Sequence, residues 1–376
     1  MIKKFIQNKK TNKGDYLIPF LVILLSIVGL IFIYSASNYS ANATYGDAYY
    51  FVKKQALGIG VGIIAMLLIA QIDYHKLKKY ALFFAIVAVV LLLAIFIPGV
   101  GVENYGAKRW IGFGSFTIQP SELAKFALIL FSAWYISKDP SKIRTFVGIL
   151  PILGYGGLLC VLIIIEPNMS ITVCVATLMM AVLFASGMKI KHFLLIFIPI
   201  ILLGVALILI EPYRLNRLSA FLNPWASPKG EGYQLIQSLY ALGSGGWFGV
   251  GIFNSRQKYA FLPFSESDFI LSVIGEEIGF IGLILFFILL AFIVYRGIKT
   301  ASETKDVFGY TLAVGITMIF GIQVIVNALV VTGTIPPTGL PLPLVSSGNT
   351  SIIVFMTEMG VLYNISKNNK EKFLFS

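Results

Sequence analysis

Residues 17–37 read LIPFLVILLSIVGLIFIYSAS, an apolar run without a single charged side chain. A helix needs roughly 20 mainly apolar residues to cross the hydrocarbon core of a bilayer. Nine further segments resemble this one, although Glu122 and Lys125 interrupt the fourth of the ten. The ten candidate spans are 17–37, 53–71, 79–98, 120–136, 146–166, 169–187, 192–211, 269–295, 308–332 and 343–366.

The composition indicates that lipid, rather than water, surrounds most of the chain. Hydrophobic residues make up 57% of it and charged residues 12%, and its mean hydropathy is +0.86. Soluble domains carry roughly 25% charged residues. Since backbone groups in lipid must be paired within the segment, the sequence predicts an all-α integral membrane protein of about ten transmembrane helices. We expect one polytopic domain over 1–376, with a long extracytoplasmic loop, 211–268, between the seventh and eighth helices.

Basic residues predict the orientation. Most of the 29 Lys and Arg fall in alternate connections, starting with the tail 1–16 and ending with the tail 367–376. By the positive-inside rule, both tails then lie in the cytoplasm. The net charge of +12 agrees with this rule and with anionic lipid at the inner leaflet, so it requires no nucleic-acid partner.

Cysteine and histidine usage does not predict a metal site. Cys160 and Cys174 fall inside predicted helices, where cysteine acts as a small apolar side chain. His75 and His192 stand far apart in short basic loops, and two isolated histidines cannot form a zinc site. We therefore predict no metal ligands among the protein side chains.

Polar segments of useful length lie on the predicted outer side, in 98–120, 211–268 and 332–343. Within the second, 233–242 has the periodicity of an amphipathic helix at the membrane interface. The glycine-rich stretch 243–251 permits close backbone approach but lacks the spacing of a nucleotide-binding loop. Any chemistry is therefore expected outside the membrane, away from cytoplasmic nucleotides.

The first motif, YGAKRWIGFGSFTIQPSELAK, covers residues 105–125. Pro120 suits the first turn of a helix, and Ser121 is placed to pair a free amide there. The N-terminus of that helix would point outward, where it favours an anion such as pyrophosphate.

Charged side chains flank that helix start. Lys108, Arg109 and Trp110 precede it and could hold a lipid head group, whereas Glu122 and Lys125 lie three residues apart on one helix face. A structural ion pair with an interfacial tryptophan is the alternative interpretation, and the motif by itself leaves both open.

The second motif, residues 258–279, carries Asp268 at the entry to the eighth helix. An aspartate there suits a helix N-cap or a general base whose pKa is raised by partial burial. Glu276 and Glu277 lie deeper, as part of either an interhelical hydrogen-bond network or a site. Gly275 and Gly279 would allow a second helix to approach them.

Two further features lie in the outer segments. Arg214, Arg217, Arg256 and Lys258 flank the predicted loop helix and suit an anionic lipid phosphate, although exposed cations are usually solvated. The prolines of 339–351 impose a rigid, non-helical entry to the last span.

Taken together, these stretches resemble the SEDS family, which includes RodA, FtsW and SpoVE, over nearly the whole chain. The resemblance is carried by an ordered set of motifs. They are Gly106-Ala-Lys-Arg-Trp-Ile111, Gln119-Pro-Ser-Glu-Leu-Ala-Lys125, Phe221-Leu-Asn-Pro-Trp225, Gly232-Tyr-Gln-Leu-Ile-Gln-Ser238, Gly243-Ser-Gly-Gly246, Leu262-Pro263, Ser267-Asp-Phe-Ile270, Gly275-Glu-Glu277 and Pro337-Thr-Gly-Leu-Pro-Leu-Pro343. Asn254-Ser-Arg-Gln-Lys258 is more similar to the FtsW/SpoVE branch than to RodA.

The resemblance implies a peptidoglycan glycosyltransferase of the bacterial cytoplasmic membrane, serving division or sporulation. Its substrate would be lipid II and its partner a class B penicillin-binding protein. Asp268 matches the essential aspartate of the family, and Trp110 matches a tryptophan linked to activity. The substrate-binding residues implied by the matching motifs are Lys108, Arg109, Trp110, Gln119, Ser121, Glu122, Lys125, Arg256, Lys258 and Glu277.

The reaction itself needs a base for the acceptor hydroxyl and positive charge for the departing pyrophosphate. We expect Asp268 as base or orienting group, with Arg109, Lys125 and Lys258 nearest the phosphates. No cofactor is required, and Mg²⁺ or another divalent cation could share the phosphate task.

Three departures from the family pattern stand out: Phe264 replaces an expected glutamate, Phe253 an expected glycine, and the usual Ser-Tyr-Gly-Gly-Ser-Ser reads Ser346-Ser-Gly-Asn-Thr-Ser351. A lipid II flippase and a non-catalytic scaffold for a penicillin-binding protein are the alternative functions. Clustering of the polar motifs on one side favours the enzyme, because a transporter needs a path to both sides.

Overall fold

The computed structural model describes residues 14–104, 107–113, 116–210, 212–259 and 261–369. Its described part is mainly helical, with one small sheet. The helices are α1 (Leu17–Tyr45), α2 (Tyr50–Ile69), α3 (His75–Ala94), α4 (Pro120–Lys138), α5 (Phe146–Ile165), α6 (Met169–Ala185), α7 (Ile190–Ile210), α8 (Pro212–Leu222), α9 (Tyr233–Gly245), α10 (Ile270–Glu303), α11 (Val307–Val331) and α12 (Asn349–Asn369). Short 3-10 turns cover Pro140–Arg144 and Pro224–Ala226.

The predicted all-α membrane fold is confirmed, and a helix occupies each of the ten predicted segments. By length and hydropathy, six helices in the described ranges can cross a bilayer unaided: α1, α2, α3, α5, α10 and α11. The helix α6 is a shorter apolar segment on the same measure, and so is the searched part of α7, Ile190–Ala206. The number of ten spans therefore stays a prediction.

The bundle has two distinct ends. At one, which we call the tail end, Asp15 pairs with Arg296 and Tyr74 donates to Asp306. At the other, the loop end, lies the long connection between α7 and α10. Most of the two predicted cytoplasmic tails, namely 1–13 and 370–376, lies outside the described residues.

The last helix, α12, lies in the centre of the bundle against α2. Small residues permit this approach, since a Cβ added to Gly62 would lie 2.5 Å from the Met356 sulfur. Phe355 and Met359 are fully buried beside them. The polar residues that weaken the hydropathy of this segment therefore point into protein rather than into lipid.

A small antiparallel sheet replaces the plain connection expected over 98–120. Its strands are β1 (Gly101–Asn104), β2 (Ala107–Phe113) and β3 (Phe116–Ile118), in the order β1-β2-β3. Val102 pairs with Trp110 and Ile111 pairs with Ile118. The sheet holds Lys108, Arg109 and Trp110 in extended conformation just before α4.

The long connection folds into two helices. The amphipathic helix predicted over 233–242 is confirmed as α9, whereas α8 was not predicted. A Cβ on Gly275 would lie 2.5 Å from Leu242, so α9 packs closely on α10 as expected of that glycine. The side chains of 212–214, which include Arg214, lie outside the described part of the chain.

The helix α10 is interrupted at Gly279, whose φ of 68° and ψ of −173° are not helical. Its freed groups pair with the glycine-rich stretch: Val250 donates to Glu276 at 3.0 Å, and Phe280 donates to Gly246 at 2.9 Å. A Cβ on Gly249 would lie 2.1 Å from the Glu277 oxygen, which confirms close backbone approach as the role of these glycines. Gly279, expected to admit a neighbouring helix, instead supplies the break.

Candidate active site

Asp268 lies in a turn at the loop end whose backbone is fastened to three other parts of the bundle. Asn327 of α11 donates to the Asp268 oxygen at 2.8 Å, and Ser346 donates to the Ser267 oxygen at 2.6 Å. The Ser347 amide donates to the Glu266 oxygen at 2.9 Å, and the Ser265 hydroxyl donates to the Ala36 oxygen of α1 at 3.1 Å. The position of Asp268 is thus set by main-chain contacts, which leave its carboxylate available.

The carboxylate of Asp268 lies at the rim of the bundle. Protein packs against one side of it, and the residue is partly accessible to solvent. The surrounding protein removes most of its hydration, and this burial raises the pKa of Asp268 to about 7. The charge of Glu266 acts in the same direction, whereas Arg217 favours the ionised form. Such a group exchanges a proton near neutral pH.

The helix-cap interpretation of Asp268 is wrong. The residue at the N-cap of α10 is Phe269, and among the described residues no side chain caps this helix. Gly339 supplies the facing wall: its φ is +72°, and a Cβ there would lie 3.9 Å from Asp268 Oδ2. The proline-rich segment predicted to be rigid therefore brings bare backbone up to the carboxylate.

Near this turn lies a small cleft, partly open to solvent, between α8, α9 and the segment before α12. Its polar lining consists of Arg217, Glu231 and Gln234, and its apolar lining of Ala220, Phe221, Leu235 and Pro337. Gln234 also donates to the Pro263 oxygen at 3.2 Å, which ties α9 to the turn that carries Asp268. Arg217 belongs both to this cleft and to the electrostatic surroundings of Asp268.

The first-loop residues stand on the small sheet. Lys108 is exposed and Trp110 half-buried, while Arg109 reaches across to donate to the backbone oxygens of Glu166 and Pro167, where α5 meets α6. Gln119 is the N-cap residue of α4, but its side chain makes no capping hydrogen bond. Its backbone amide donates to the Thr350 hydroxyl of α12 at 3.1 Å. Arg109 and Gln119 thus fasten the sheet to the bundle.

The start of α4 agrees with the prediction in part. Pro120 is its first residue, and Glu122 and Lys125 form the expected ion pair, with 2.8 Å between Oε1 and Nζ. The pair is fully buried. Ser121 is different, because its hydroxyl has no hydrogen-bond partner among the described residues, so the predicted amide pairing is wrong.

Glu276 and Glu277 belong to a hydrogen-bond network inside the protein, one of the two interpretations of the sequence. Glu277 accepts from the hydroxyl of Ser35 on α1 and from the Ser255 amide. Glu276 accepts from the hydroxyls of Ser244 and Ser255 and from the Arg256 amide at 3.1 Å. The two carboxylates therefore hold 254–257 against α1 and α10.

The basic residues after that network lie in different surroundings. The Lys258 ammonium is buried and donates to the Phe253 oxygen, whereas the Arg256 side chain is exposed. Phe253 and Phe264, two departures from the family pattern, both have positive φ, at 68° and 55°. Glycine usually takes this conformation, so both turns carry some strain.

Sequence reasoning missed four residues of this region as site members. Asn327 and Gly339 lie in an apolar span and a loop, and Arg217 was noted only among several outer cations. Glu166 was missed entirely: it is buried, and neither carboxylate oxygen has a hydrogen-bond partner within the described ranges. A polar residue at the end of an apolar run was the available signal for Glu166.

Among the described residues, no group of three or more His, Cys, Asp and Glu is placed to hold a metal ion. Two carboxylates, Asp268 and Glu266, do lie near enough in one turn for the charge of Glu266 to act on Asp268. Mg²⁺ commonly binds through one or two carboxylates together with phosphate oxygens of a substrate. These two residues therefore fit a cation that arrives with a phosphorylated ligand.

The arrangement agrees with known proteins over almost the whole chain. The model of the FTSW_RODA_SPOVE family, described as cell cycle protein, matches residues 15–371. This chain belongs to that family. It is a multi-pass membrane protein, as the apolar helices indicate.

Similar proteins fall in the predicted branch. Stage V sporulation protein E of Bacillus subtilis (strain 168) is 40% identical over 365 residues, covering 96% of this chain and 99% of the relative. The probable peptidoglycan glycosyltransferase FtsW of Geobacter sp. (strain M18) is 37% identical over 363 residues, covering 95% and 98%. The predicted resemblance to the FtsW/SpoVE branch is confirmed.

Solved structures share the fold. A chain from the structure titled "Structural coordination of polymerization and crosslinking by a peptidoglycan synthase complex" has a TM-score of 0.78 at 23% identity and covers 96% of this chain and 99% of its own. The crystal structure of the rod shape determining protein RodA of Thermus thermophilus gives a TM-score of 0.70 at 23% identity, covering 95% and 97%.

Proposed function

We propose that this protein is a peptidoglycan glycosyltransferase that polymerises lipid II into glycan strands on the outer face of the bacterial cytoplasmic membrane. The names of its FtsW relatives support the reaction, and that of its SpoVE relative supports a role in sporulation or division. The distribution of Lys and Arg supports a loop end that faces outward and termini in the cytoplasm.

The observation that carries this proposal is the state of Asp268. Its backbone is fixed by Asn327, while its half-buried carboxylate lies within the electrostatic influence of Arg217, a residue that lines the cleft. Glu122, Glu276 and Glu277, by contrast, use oxygens to bind protein groups. Asp268 is thus both rigidly placed and chemically available.

The chemistry requires one proton transfer and one departing anion. The acceptor hydroxyl oxygen forms a bond to the anomeric carbon of the donor, and the bond from that carbon to the lipid pyrophosphate breaks. The hydroxyl proton passes to Asp268, whose pKa near neutrality suits a general base. The negative charge leaves with the pyrophosphate, and we assign Arg217 to its stabilisation.

We assign direct substrate contacts to residues with accessible side chains at the loop end: Lys108, Arg109, Trp110, Gln119 and Arg256. Ser121, Glu122, Lys125, Lys258 and Glu277 stay predictions as substrate ligands. Their burial supports a positioning role, because a group held inside the bundle acts on substrate through its neighbours. Mg²⁺ bound by Asp268 and Glu266 would add positive charge to the pyrophosphate.

We also propose a class B penicillin-binding protein as partner. The solved structure with the higher TM-score of the two comes from a complex named for polymerisation and crosslinking, which supports a paired arrangement. The partner would join peptides between strands that this chain extends.

The test is polymerisation of lipid II by the purified protein in detergent, with and without a cognate penicillin-binding protein, and with and without a chelator. Asp268→Asn keeps the shape of the side chain and removes the base. Asp47→Asn is the matched control: it is an aspartate at the loop end, but its partner is the exposed Lys53.

We expect glycan strands from the wild type and from Asp47→Asn, and none from folded Asp268→Asn. Movement of lipid II across vesicles without polymer would support a flippase instead. Polymer that depends wholly on the partner, at equal rates with either variant, would support a scaffold.

A further inference from the structure

Inside the bundle, α4, α11 and α12 bring four polar side chains together. They are Glu122, Lys125, Gln323 and Glu358, which are exposed by 1%, 1%, 0% and 1%. We call them the buried charge cluster. Lys125 Nζ lies 2.8 Å from Glu122 Oε1 and 5.6 Å from the centroid of the Phe355 ring. The charges of both Lys125 and Glu122 act on Glu358.

The cluster lies below the loop end, within the apolar part of the bundle. Glu358 follows the start of α12 by nine residues, and Gln323 precedes the end of α11 by eight. At a rise of about 1.5 Å per residue, both lie roughly 12–14 Å from the helix ends. At that depth an uncompensated charge is costly, because neither lipid nor the packed core solvates it.

Several atoms of the cluster lack a partner. Glu122 Oε2, Glu358 Oε2 and both amide atoms of Gln323 are shielded from solvent and have no hydrogen-bond partner among the described residues. Each buried polar atom left unpaired destabilises the folded state. Three of these four atoms are oxygens, and oxygens bind protons and cations.

The charges do not balance. Two carboxylates share the single ammonium of Lys125, so one negative charge is left over. Cys174 of α6 is the other titratable group near the pair, and it adds no positive charge. Within the described residues, α1, α2, α10 and α11 add no charged group to those that act on Glu358.

We propose that the buried charge cluster is a site for one exchangeable monovalent cation, either a proton or an alkali-metal ion, held between Glu358 and Glu122. As a proton, it would sit on one carboxyl group and be donated to the other or to Gln323 Oε1. As an alkali-metal ion, it would be ligated by the same three oxygens. The bound cation is measured by unfolding and by infrared spectra rather than by polymerisation, so failure of the proposed function would not decide this proposal.

The first test measures thermal unfolding of the full-length protein in detergent, across pH, in choline, sodium or potassium chloride. A folded state that holds an extra proton loses stability as pH rises and that proton leaves. In choline, we expect the unfolding temperature of the wild type to fall with rising pH more steeply than that of Glu358→Gln. Glu303→Gln, an exposed glutamate at the tail end of α10, should follow the wild type.

The second test measures the same pH dependence in variants that change the number of carboxylates around Lys125. Glu122→Gln and Glu358→Gln each leave one carboxylate for one ammonium, so either change alone should remove the pH dependence. The double variant leaves Lys125 without a counter-ion and should lose more stability than the sum of the single changes. Additive losses, or a single variant that keeps the pH dependence of the wild type, would contradict this charge count.

Infrared spectra at mildly alkaline pH separate the two cations. A proton predicts a carbonyl stretch of a protonated carboxylic acid in the wild type that is absent in Glu358→Gln. An alkali-metal ion predicts no such difference between the two proteins, and it predicts protection by sodium or potassium that the variant lacks. Should Glu358→Gln fail to fold, Glu358→Met, apolar and of similar volume, replaces it. If a folded variant shows the same pH and salt dependence as the wild type and the same spectrum, the proposal is overturned.

Discussion

The Nδ2 group of Asn327 lies 2.8 Å from the backbone oxygen of Asp268 and 3.0 Å from that of Leu340. One amide on α11 thus holds together the turn that carries the carboxylate and the segment that faces it. Gln323, one helical turn away on the same helix, belongs to the buried charge cluster. The helix α11 therefore connects the rim of the bundle with its interior.

Replacing Asn327 should reduce activity through position rather than chemistry. In Asn327→Ala the Asp268 and Leu340 oxygens lose their donor, and we expect about tenfold slower polymerisation, which corresponds to about 1.4 kcal/mol. Asn364→Ala is the matched control, because Asn364 is also buried and donates to the Ala70 oxygen at the tail end. It should lower the unfolding temperature without slowing the folded enzyme. Equal effects of both changes on activity would contradict a specific role for Asn327.

The rate of polymerisation should rise with pH. Burial raises the pKa of Asp268 to about 7, so the base form gains population as pH passes through neutrality. Arg217 favours that form, and Arg217→Gln should move the midpoint of the pH–rate profile to higher pH. Lys229→Gln, an exposed cation in the same connection, should leave the midpoint unchanged. A profile that is flat between mildly acidic and mildly alkaline pH would rule out Asp268 as the titrating base.

The same raised pKa predicts an effect on stability. The folded state binds the Asp268 proton more tightly than the unfolded state does. The folded protein therefore loses stability as pH rises from the pKa of Asp268 in the unfolded chain towards about 7. Asp268→Asn should therefore unfold at a higher temperature than the wild type at alkaline pH, with a smaller difference in acid. A variant that is less stable than the wild type at every pH would argue against this cost.

Replacing Gly339 by alanine should reduce activity by more than the backbone strain of the alanine accounts for. Gly339→Ala places a methyl group 3.9 Å from Asp268 Oδ2 at a φ of +72°, and that conformation costs an alanine about 1 kcal/mol. Gly46→Ala is a close control, since Gly46 has a φ of +69° and nothing within 4 Å of an added Cβ. Both variants should lose similar stability, but polymerisation should slow only in Gly339→Ala.

Measurements on a Glu277 variant can distinguish a structural role of this residue from a substrate-binding role. Because it accepts from Ser35 and the Ser255 amide, Glu277→Ala should cost about 1–3 kcal/mol in the free energy of unfolding. Ser35→Ala removes a partner without touching any accessible surface, and it should reproduce part of the loss. If Glu277→Ala instead raises KM for lipid II at unchanged stability, the substrate-binding assignment stands.

The sequence alone was enough to predict that lipid surrounds most of the chain, and therefore to predict the fold class. Apolar runs of about 20 residues leave no option but helices in lipid. Motif order identified the family, and local chemistry was enough for the pair Glu122–Lys125, because a spacing of three residues fixes their geometry on one helix. The small sheet and α8 were not predicted from the sequence, because short strands and a weakly apolar loop helix leave little periodic signal.

What only the tertiary structure decided is which polar groups remain available. Asp268 and Glu277 read alike in the sequence, as carboxylates near the start of an apolar segment. Folding binds Oε1 of Glu277 to the Ser35 hydroxyl of α1 and to the Ser255 amide. It fastens Asp268 by its backbone instead, and places Arg217, Asn327 and Gly339 around it. Hydrogen bonds between residues far apart in the chain have no pattern along it, so their outcome becomes visible only when the helices are packed.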